Sequence, residues 1–101
     1  MRLSPGQIAA IKVAARRHFG ADATVSLFGS RLDDRRRGGD IDLYIETALP
    51  GAAVVARAEI DFLADVKRRI GDQKIDVLVD YPARKTRPPI FDVARQSGIR
   101  L

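Results

Sequence analysis

The segment at residues 40–46 constrains the fold most, because its polar and apolar side chains alternate without a break. Asp40, Asp42 and Glu46 fall on one side of this segment, and aliphatic residues occupy the positions between them. A period of two predicts a β-strand, since successive side chains of a strand point to opposite faces of a sheet. A fold built on this strand must bury its aliphatic face and must also accommodate two neighbouring carboxylates on the other face.

The remaining segments predict three helices and two further strands. Ser4 can cap a helix with Pro5 at its first position and Gln7 completing a capping box, and Gly20 can end that helix. The other elements are expected at residues 24–28 and 75–79 for strands, and at residues 52–70 and 90–96 for helices.

Two details of the helices add to this expectation. In the long helix, Ala56, Ile60, Leu63 and Ile70 form the predicted core stripe. His18 lies near the end of the first helix, where we expect it to have a structural role.

The connections between the strands predict how they pair. The loop that joins the first two strands is short for a parallel crossover, so these strands are expected to be antiparallel neighbours. A long helix joins the second and third strands, which permits a parallel, right-handed crossover. The fold class predicted is α/β (α+β): residues 1–101 form one domain with a small mixed three-stranded sheet, order 1-2-3, and helices covering one face.

Composition excludes several classes of protein. The chain has no cysteine, so it carries neither disulfides nor thiolate metal ligands, and it has no apolar stretch near the ~20 residues that span a bilayer. The N-terminal residues lack the apolar core of a secretory signal, and we therefore expect a cytoplasmic protein without membrane association. The net charge of +5 favours anionic partners such as nucleotides or nucleic acid.

The predicted topology brings the acidic residues to one edge of the sheet. Gly29 and Ser30 end the first strand, Asp40 and Asp42 begin the second, and Asp76 begins the parallel third strand. Three carboxylates in one place repel unless a cation neutralises them. Oxygen ligands suit Mg²⁺, and phosphoryl transfer commonly uses two such ions.

The residues that precede the first acidic pair suit a phosphate group. Gly29 has no side chain, so backbone amides can approach phosphate closely, and Ser30 adds a hydroxyl donor. Arg31 directly follows and could reach a phosphate as well. These three residues are the candidate nucleotide-binding group.

The motifs resemble those of a known superfamily. Phe28-Gly29-Ser30-Arg31, followed after nine residues by Asp40-Ile41-Asp42-Leu43, resembles the nucleotidyltransferase superfamily that includes DNA polymerase β. The later Ile75-Asp76-Val77 is similar to the segment with that superfamily's third carboxylate. Within the superfamily, the short chain is similar to the minimal nucleotidyltransferase (MNT) domains, and the likeness covers essentially the whole chain.

The resemblance implies a function and a set of residue roles. Asp40, Asp42 and Asp76 would bind Mg²⁺ and act in catalysis, with Asp76 as the base toward an acceptor hydroxyl. Gly29 and Ser30 would hold the triphosphate of ATP or another nucleoside triphosphate. The expected reaction is an adenylyltransferase-like transfer of a nucleoside monophosphate, AMP if the donor is ATP. The expected setting is a toxin–antitoxin pair in which a helical HEPN-domain protein is the partner.

Other readings of the same residues stay open. The domain could be a catalytically idle nucleotide-binding subunit that neutralises or supports a partner sterically. A basic RNA-binding module that uses Arg35, Arg36 and Arg37 is a third reading, and that arginine loop could equally be a solvated surface. An Asp-x-Asp strand without the glycine and the third carboxylate would be an ordinary polar face.

Overall fold

The computed structural model describes residues 3–29 and 40–101. The elements in chain order are α1 (Pro5–Phe19), β1 (Thr24–Phe28), β2 (Ile41–Glu46), α2 (Ala52–Ile70), β3 (Ile75–Asp80), α3 (Ile90–Ser97) and β4 (Ile99–Arg100). This order confirms every helix and strand that the sequence pattern predicts and adds β4. In these two segments of the chain, no helix combines the length and apolarity needed to cross a membrane.

The first helix begins as its sequence predicts. The Ser4 hydroxyl accepts a hydrogen bond from the Gln7 backbone amide at 3.1 Å, and the Gln7 side chain accepts one from the Ser4 amide at 2.9 Å. This reciprocal pair satisfies two amides that the first helical turn leaves without partners. The capping box is therefore confirmed.

The sheet has four strands in the order β3-β2-β1-β4. The predicted pairings are present, with β1 antiparallel to β2 and β2 parallel to β3. The prediction of a three-stranded sheet was wrong because β4 adds an antiparallel edge beside β1, with Ser26 opposite Arg100. Two residues are too few to show a period, so this strand could not be read from the sequence pattern.

Helices lie on both faces of the sheet, which corrects the prediction that they cover one face. The larger core, between the sheet and α1 with α2, includes the fully buried Leu27, Leu43 and Phe62. On the opposite face, Phe91 of α3 packs edge-on against Tyr44, with ring centroids 6.2 Å apart. The face of β2 that carries Asp42 and Tyr44 is thus acidic at its start and apolar at its centre, and α3 covers the apolar part.

The predicted core stripe of α2 is correct in part, because Leu63 and Ile70 pack against the large core while Ala56 is exposed. Val55, Phe62 and Val66 are buried, whereas Ile60 is 63% exposed. The helix is rotated because Phe62 packs against Phe19 of α1, with ring centroids 5.4 Å apart. The larger aromatic side chain removes more apolar area from water than an isoleucine would, and so decides which side faces inward.

A buried carboxylate joins α1 to α2. The side chain of Asp65 is 3% exposed and accepts hydrogen bonds from Arg69 at 2.8 Å and Arg68 at 2.7 Å. His18 Nε2 lies 2.9 Å from the second Asp65 oxygen. The Arg69 hydrogen bond is the main cause that lowers the pKa of Asp65 from 3.8 to about 2; burial opposes it, and His18 assists it. The expected structural role of His18 is confirmed.

A second carboxylate fixes α3 across the sheet. Asp80, at the end of β3, accepts hydrogen bonds from Arg87 at 2.8 Å and from Arg95 of α3 at 3.3 Å, and the Tyr44 hydroxyl donates to it at 3.3 Å. Burial favours the neutral acid, but the hydrogen bond and charge of Arg87 outweigh it and hold the pKa of Asp80 below its ordinary value. These contacts set the position of α3 relative to β2 and β3.

We expect Asp65→Asn to destabilise the domain by about 2–3 kcal/mol at pH 7, since a pKa lowered from 3.8 to about 2 corresponds to that energy. The native state binds this proton less readily than the unfolded chain. The contribution is therefore present above pH 3.8 and is lost as the pH falls through about 2. Urea unfolding at pH 7 measures it. The matched control is Asp61→Asn, one turn earlier, where an exposed pair with Arg57 contributes below about 1 kcal/mol. Equal stabilities of the two variants would contradict this assignment.

Candidate functional site

Three residues form one row across three strands. Phe28 at the end of β1 lies opposite Asp42 of β2, and Asp42 lies beside Asp76 of β3. Neighbouring strands are about 4.8 Å apart, so the two carboxylates occupy adjacent positions on one face. The register therefore brings Asp42 and Asp76 together at one edge of the sheet, as the sequence predicts.

Gly29 follows β1 directly and lies against the acidic pair. Its φ of +78° is in the left-handed region that favours glycine. A Cβ atom at this position would collide with an Asp42 carboxylate oxygen and lie 3.1 Å from its Cγ. A side chain at residue 29 would therefore force the Asp42 carboxylate to move.

Asp40 lies just before β2 and has its own partner. Its Oδ2 atom is 3.4 Å from Nζ of Lys74, and the lysine side chain is 73% exposed. Across the described segments, no group of three His, Cys, Asp or Glu residues has the arrangement of a metal site. The structure thus brings Asp42 and Asp76 together with Gly29, while Asp40 forms an ion pair at the rim.

The carboxylates of the row repel one another, and the nearby positive charge does not offset this repulsion. Burial raises the pKa of Asp42 above its ordinary value, and the neighbouring charges of Asp76 and Asp40 raise it further. Lys74 lowers it, but by less than these causes raise it. A site of this kind attracts a cation, because added positive charge relieves the repulsion.

The row lies in the floor of an open cleft of about 580 Å³. Phe28, Gly29, Asp42 and Asp76 line the floor together with Leu78. The wall is formed by Ile90, Val93 and Ser97 of α3. The cleft therefore has a charged end and an apolar side, and its volume is in the range of pockets that hold small molecules.

Several residues of the predicted site lie outside the described segments. These are Ser30, Arg31 and the arginine loop of Arg35, Arg36 and Arg37. Their proposed contacts with phosphate or RNA therefore stay predictions. Of the nucleotide-binding group, the structure describes Gly29.

The sequence pattern missed Lys74 and the wall of α3. Lys74 directly precedes β3, so a basic residue next to the strand that carries Asp76 was an available signal. Ile90 and Val93 are spaced by one helical turn but are offset from the buried Phe91 and Ala94. Apolar residues on two sides of this eight-residue helix indicate that each side contacts a different part of the molecule or a ligand.

The donor set fits a hard divalent cation. Asp42 and Asp76 present carboxylate oxygens on adjacent strands, and a cation such as Mg²⁺ takes one or two carboxylates and completes its shell with water and phosphate oxygens. Asp40 can join them if Lys74 releases it, since that ion pair is largely exposed to solvent. The arrangement can hold an anionic, phosphate-bearing ligand through a cation and a side-chain-free backbone turn.

Comparisons with protein-family models, with curated proteins and with solved structures found no match to this chain.

We expect Gly29→Ala to destabilise the fold by about 1–3 kcal/mol, because it combines a strained φ with a collision against Asp42. The matched control is Gly51→Ala. Gly51 has a similar φ of +87°, but a Cβ atom there would meet nothing within 4 Å. Thermal unfolding of both variants separates strain from collision. A Gly29→Ala variant no less stable than Gly51→Ala would show that the close approach to Asp42 is unimportant.

We expect Asp42→Asn to raise the melting temperature at pH 7 in the absence of divalent cations. The raised pKa of Asp42 means that its ionised form is less favourable in the folded state than in the unfolded chain. Its ionisation therefore lowers stability at neutral pH, and the advantage of asparagine should shrink as the pH falls below the pKa of Asp42. Melting curves at pH 7 and pH 4 test this, with Asp22→Asn at an exposed turn as the control. A lower melting temperature for Asp42→Asn at pH 7 would contradict the inferred repulsion.

Proposed function

We propose that this protein is a Mg²⁺-dependent nucleotidyltransferase that transfers a nucleoside monophosphate, with ATP as the expected donor, to a hydroxyl group. The observation that supports this most strongly is the row of Asp42 and Asp76 beside Gly29, in a cleft large enough for a nucleotide. The resemblance of the Gly-Ser and Asp-x-Asp motifs to the MNT domains suggests the same reaction.

Each residue of the row has a proposed role. Asp42 and Asp76 would hold Mg²⁺, with Asp40 as a third ligand in place of its contact with Lys74. Bound there, Mg²⁺ would neutralise charge that develops on the phosphate oxygens. Gly29 leaves room for the triphosphate, and Ser30 and Arg31 would contact it. Because Gly29 lies close to Asp42, the same part of the fold would position both the phosphates and the carboxylates.

The proposed reaction is a displacement at the α-phosphorus. The acceptor hydroxyl oxygen forms a bond to that phosphorus, the bond to the oxygen that bridges to the β-phosphate breaks, and pyrophosphate leaves with the electron pair. Asp76 accepts the hydroxyl proton; its carboxylate is exposed in the cleft, where an acceptor can reach it. Holding the hydroxyl close to the phosphorus supplies much of the rate in such reactions.

We propose that the acceptor belongs to a partner protein of the HEPN type, as in toxin–antitoxin pairs. The support is the resemblance to MNT domains together with the open cleft. One side of that cleft is a single short helix, so a macromolecular acceptor could bring a complementary surface of its own.

A second candidate function has one observation in its favour. The ion pair between Lys74 and Asp40 partly neutralises the acidic group without a metal. A catalytically idle nucleotide-binding subunit, which acts on its partner sterically, would retain such a pair. The two candidates differ in whether a covalent product forms.

We expect ATP to bind far more tightly with Mg²⁺ than without it. Asp42→Asn and Asp76→Asn should each weaken Mg²⁺-dependent binding by more than the roughly 10–100-fold typical of residues that only orient metal ligands. Isothermal titration calorimetry with the wild type and the variants measures this, and Asp22→Asn is the remote control with the same change. Equal affinities in all cases would contradict the proposed site.

Mass spectrometry separates the two candidate functions. The protein is co-expressed with the product of the neighbouring gene, any complex is purified, and the intact mass of each chain is measured. A gain of one or more nucleoside monophosphate units on the partner, lost with Asp76→Asn, supports transfer. A stable complex with no gain in mass supports the idle subunit, and the absence of any complex argues against a protein partner.

A further inference from the structure

The helix α3 has an apolar side that the fold does not use. Phe91 and Ala94 are buried in the small core against Tyr44 and Phe28. Ile90 and Val93 lie beside them on the same helix but remain 43% and 53% exposed. Such side chains are available to bury a ligand.

These two side chains line the same cleft as the acidic row. The carboxylates, Gly29 and Leu78 line the floor of the cleft, and the aliphatic pair on α3 lines its wall. A ligand that fills this cleft needs one anionic end that can share a cation and one flat, weakly polar end. A nucleoside triphosphate has both.

The position of α3 is fixed before any ligand binds. Arg95 hydrogen-bonds to Asp80 at 3.3 Å, and the Arg84 guanidinium lies 4.4 Å from the centroid of the Phe91 ring. The aliphatic pair is therefore presented by a helix anchored at several points. An anchored surface loses little conformational entropy when a ligand packs against it.

We propose that Ile90 and Val93 form the nucleobase subsite, in which the flat face of the base packs against the α3 wall while the phosphates lie at Gly29 and the acidic row. This inference rests on the proposed function. Each methyl group in contact with the base contributes about fourfold in affinity, the equivalent of one buried CH₂ group. Aliphatic side chains contact the face of a base and have no donors for its edge.

The test compares ATP with inorganic tripolyphosphate, which has the same number of phosphates but no base. Both are titrated calorimetrically with Mg²⁺ into the wild type, Val93→Thr and Val93→Ala. Threonine keeps the branched shape but replaces one methyl group with a hydroxyl, so ATP affinity should fall about fourfold, and alanine removes two methyl groups and should lower it by about sixteenfold if both contact the base. Tripolyphosphate affinity should stay the same in all three proteins.

The control is Val13→Thr. Val13 is 48% exposed, similar to Val93, but lies on α1 on the other face of the sheet. This variant should bind ATP as the wild type does, and melting curves establish that all the variants are folded.

The possible results distinguish the two proposals. If neither ATP nor tripolyphosphate binds to the wild type, the proposed function fails. If both bind to the wild type with equal affinity, or if the Val93 variants bind ATP as tightly as the wild type, the base does not lie on α3 and this inference is overturned. Unchanged ATP affinity combined with slower transfer would assign the wall to the acceptor instead, which also overturns it.

Discussion

The register of β2 with its two neighbours is the constraint on which the site depends. β2 pairs antiparallel with β1 and parallel with β3, and this places Phe28, Asp42 and Asp76 in one row. A slip of one residue in either pair would move an acidic side chain to the opposite, buried face. The aliphatic residues of β2 prevent this slip because they are fully buried against α1 and α2. The large core therefore fixes the positions of the carboxylates on the other side of the sheet.

The face that carries the acidic row has an apolar part and an acidic part. Its central part is apolar and is covered by α3 through Tyr44, Phe91 and Ala94. Its end holds Asp42, whose pKa is raised chiefly by burial and then by its acidic neighbours. The repulsion lowers the stability of the isolated domain, but it also gives the site its attraction for a cation. Such a local conflict between charge and burial is typical of binding and catalytic sites.

Two carboxylates that are buried among the described residues contrast with this row. Asp65 and Asp80 have arginine partners at hydrogen-bonding distance, and the pKa of each lies below its ordinary value. Asp65 joins α1 to α2 and Asp80 positions α3, so both stabilise the framework around the cleft. The pKa of Asp42 is raised instead, because Lys74 lowers it by less than burial and the acidic neighbours raise it. The difference lies in the partners, since all three are the same side chain.

The sequence by itself determined the three helices, the first three strands and which acidic residues lie in the row. The period of two at residues 40–46, the capping box at Ser4 and the long helix between two strands follow from local rules, and they were sufficient to predict the pairing of the first three strands. They also placed Gly29, Asp42 and Asp76 together, because strand direction alone decides which strand ends meet. These features depend on neighbours in the chain, which a single sequence displays.

Only the tertiary structure decided the rest. The place of α3 on the second face, the edge strand β4, the inward side of α2 and the ion pair of Lys74 with Asp40 depend on contacts between residues distant in the chain. The sequence alone does not distinguish an apolar residue such as Ile60 or Val93 that faces a core from one that faces a cleft or solvent. The surroundings of such a residue depend on which packing removes the most apolar area from water. That total area depends on contacts across the whole fold and not on any one segment.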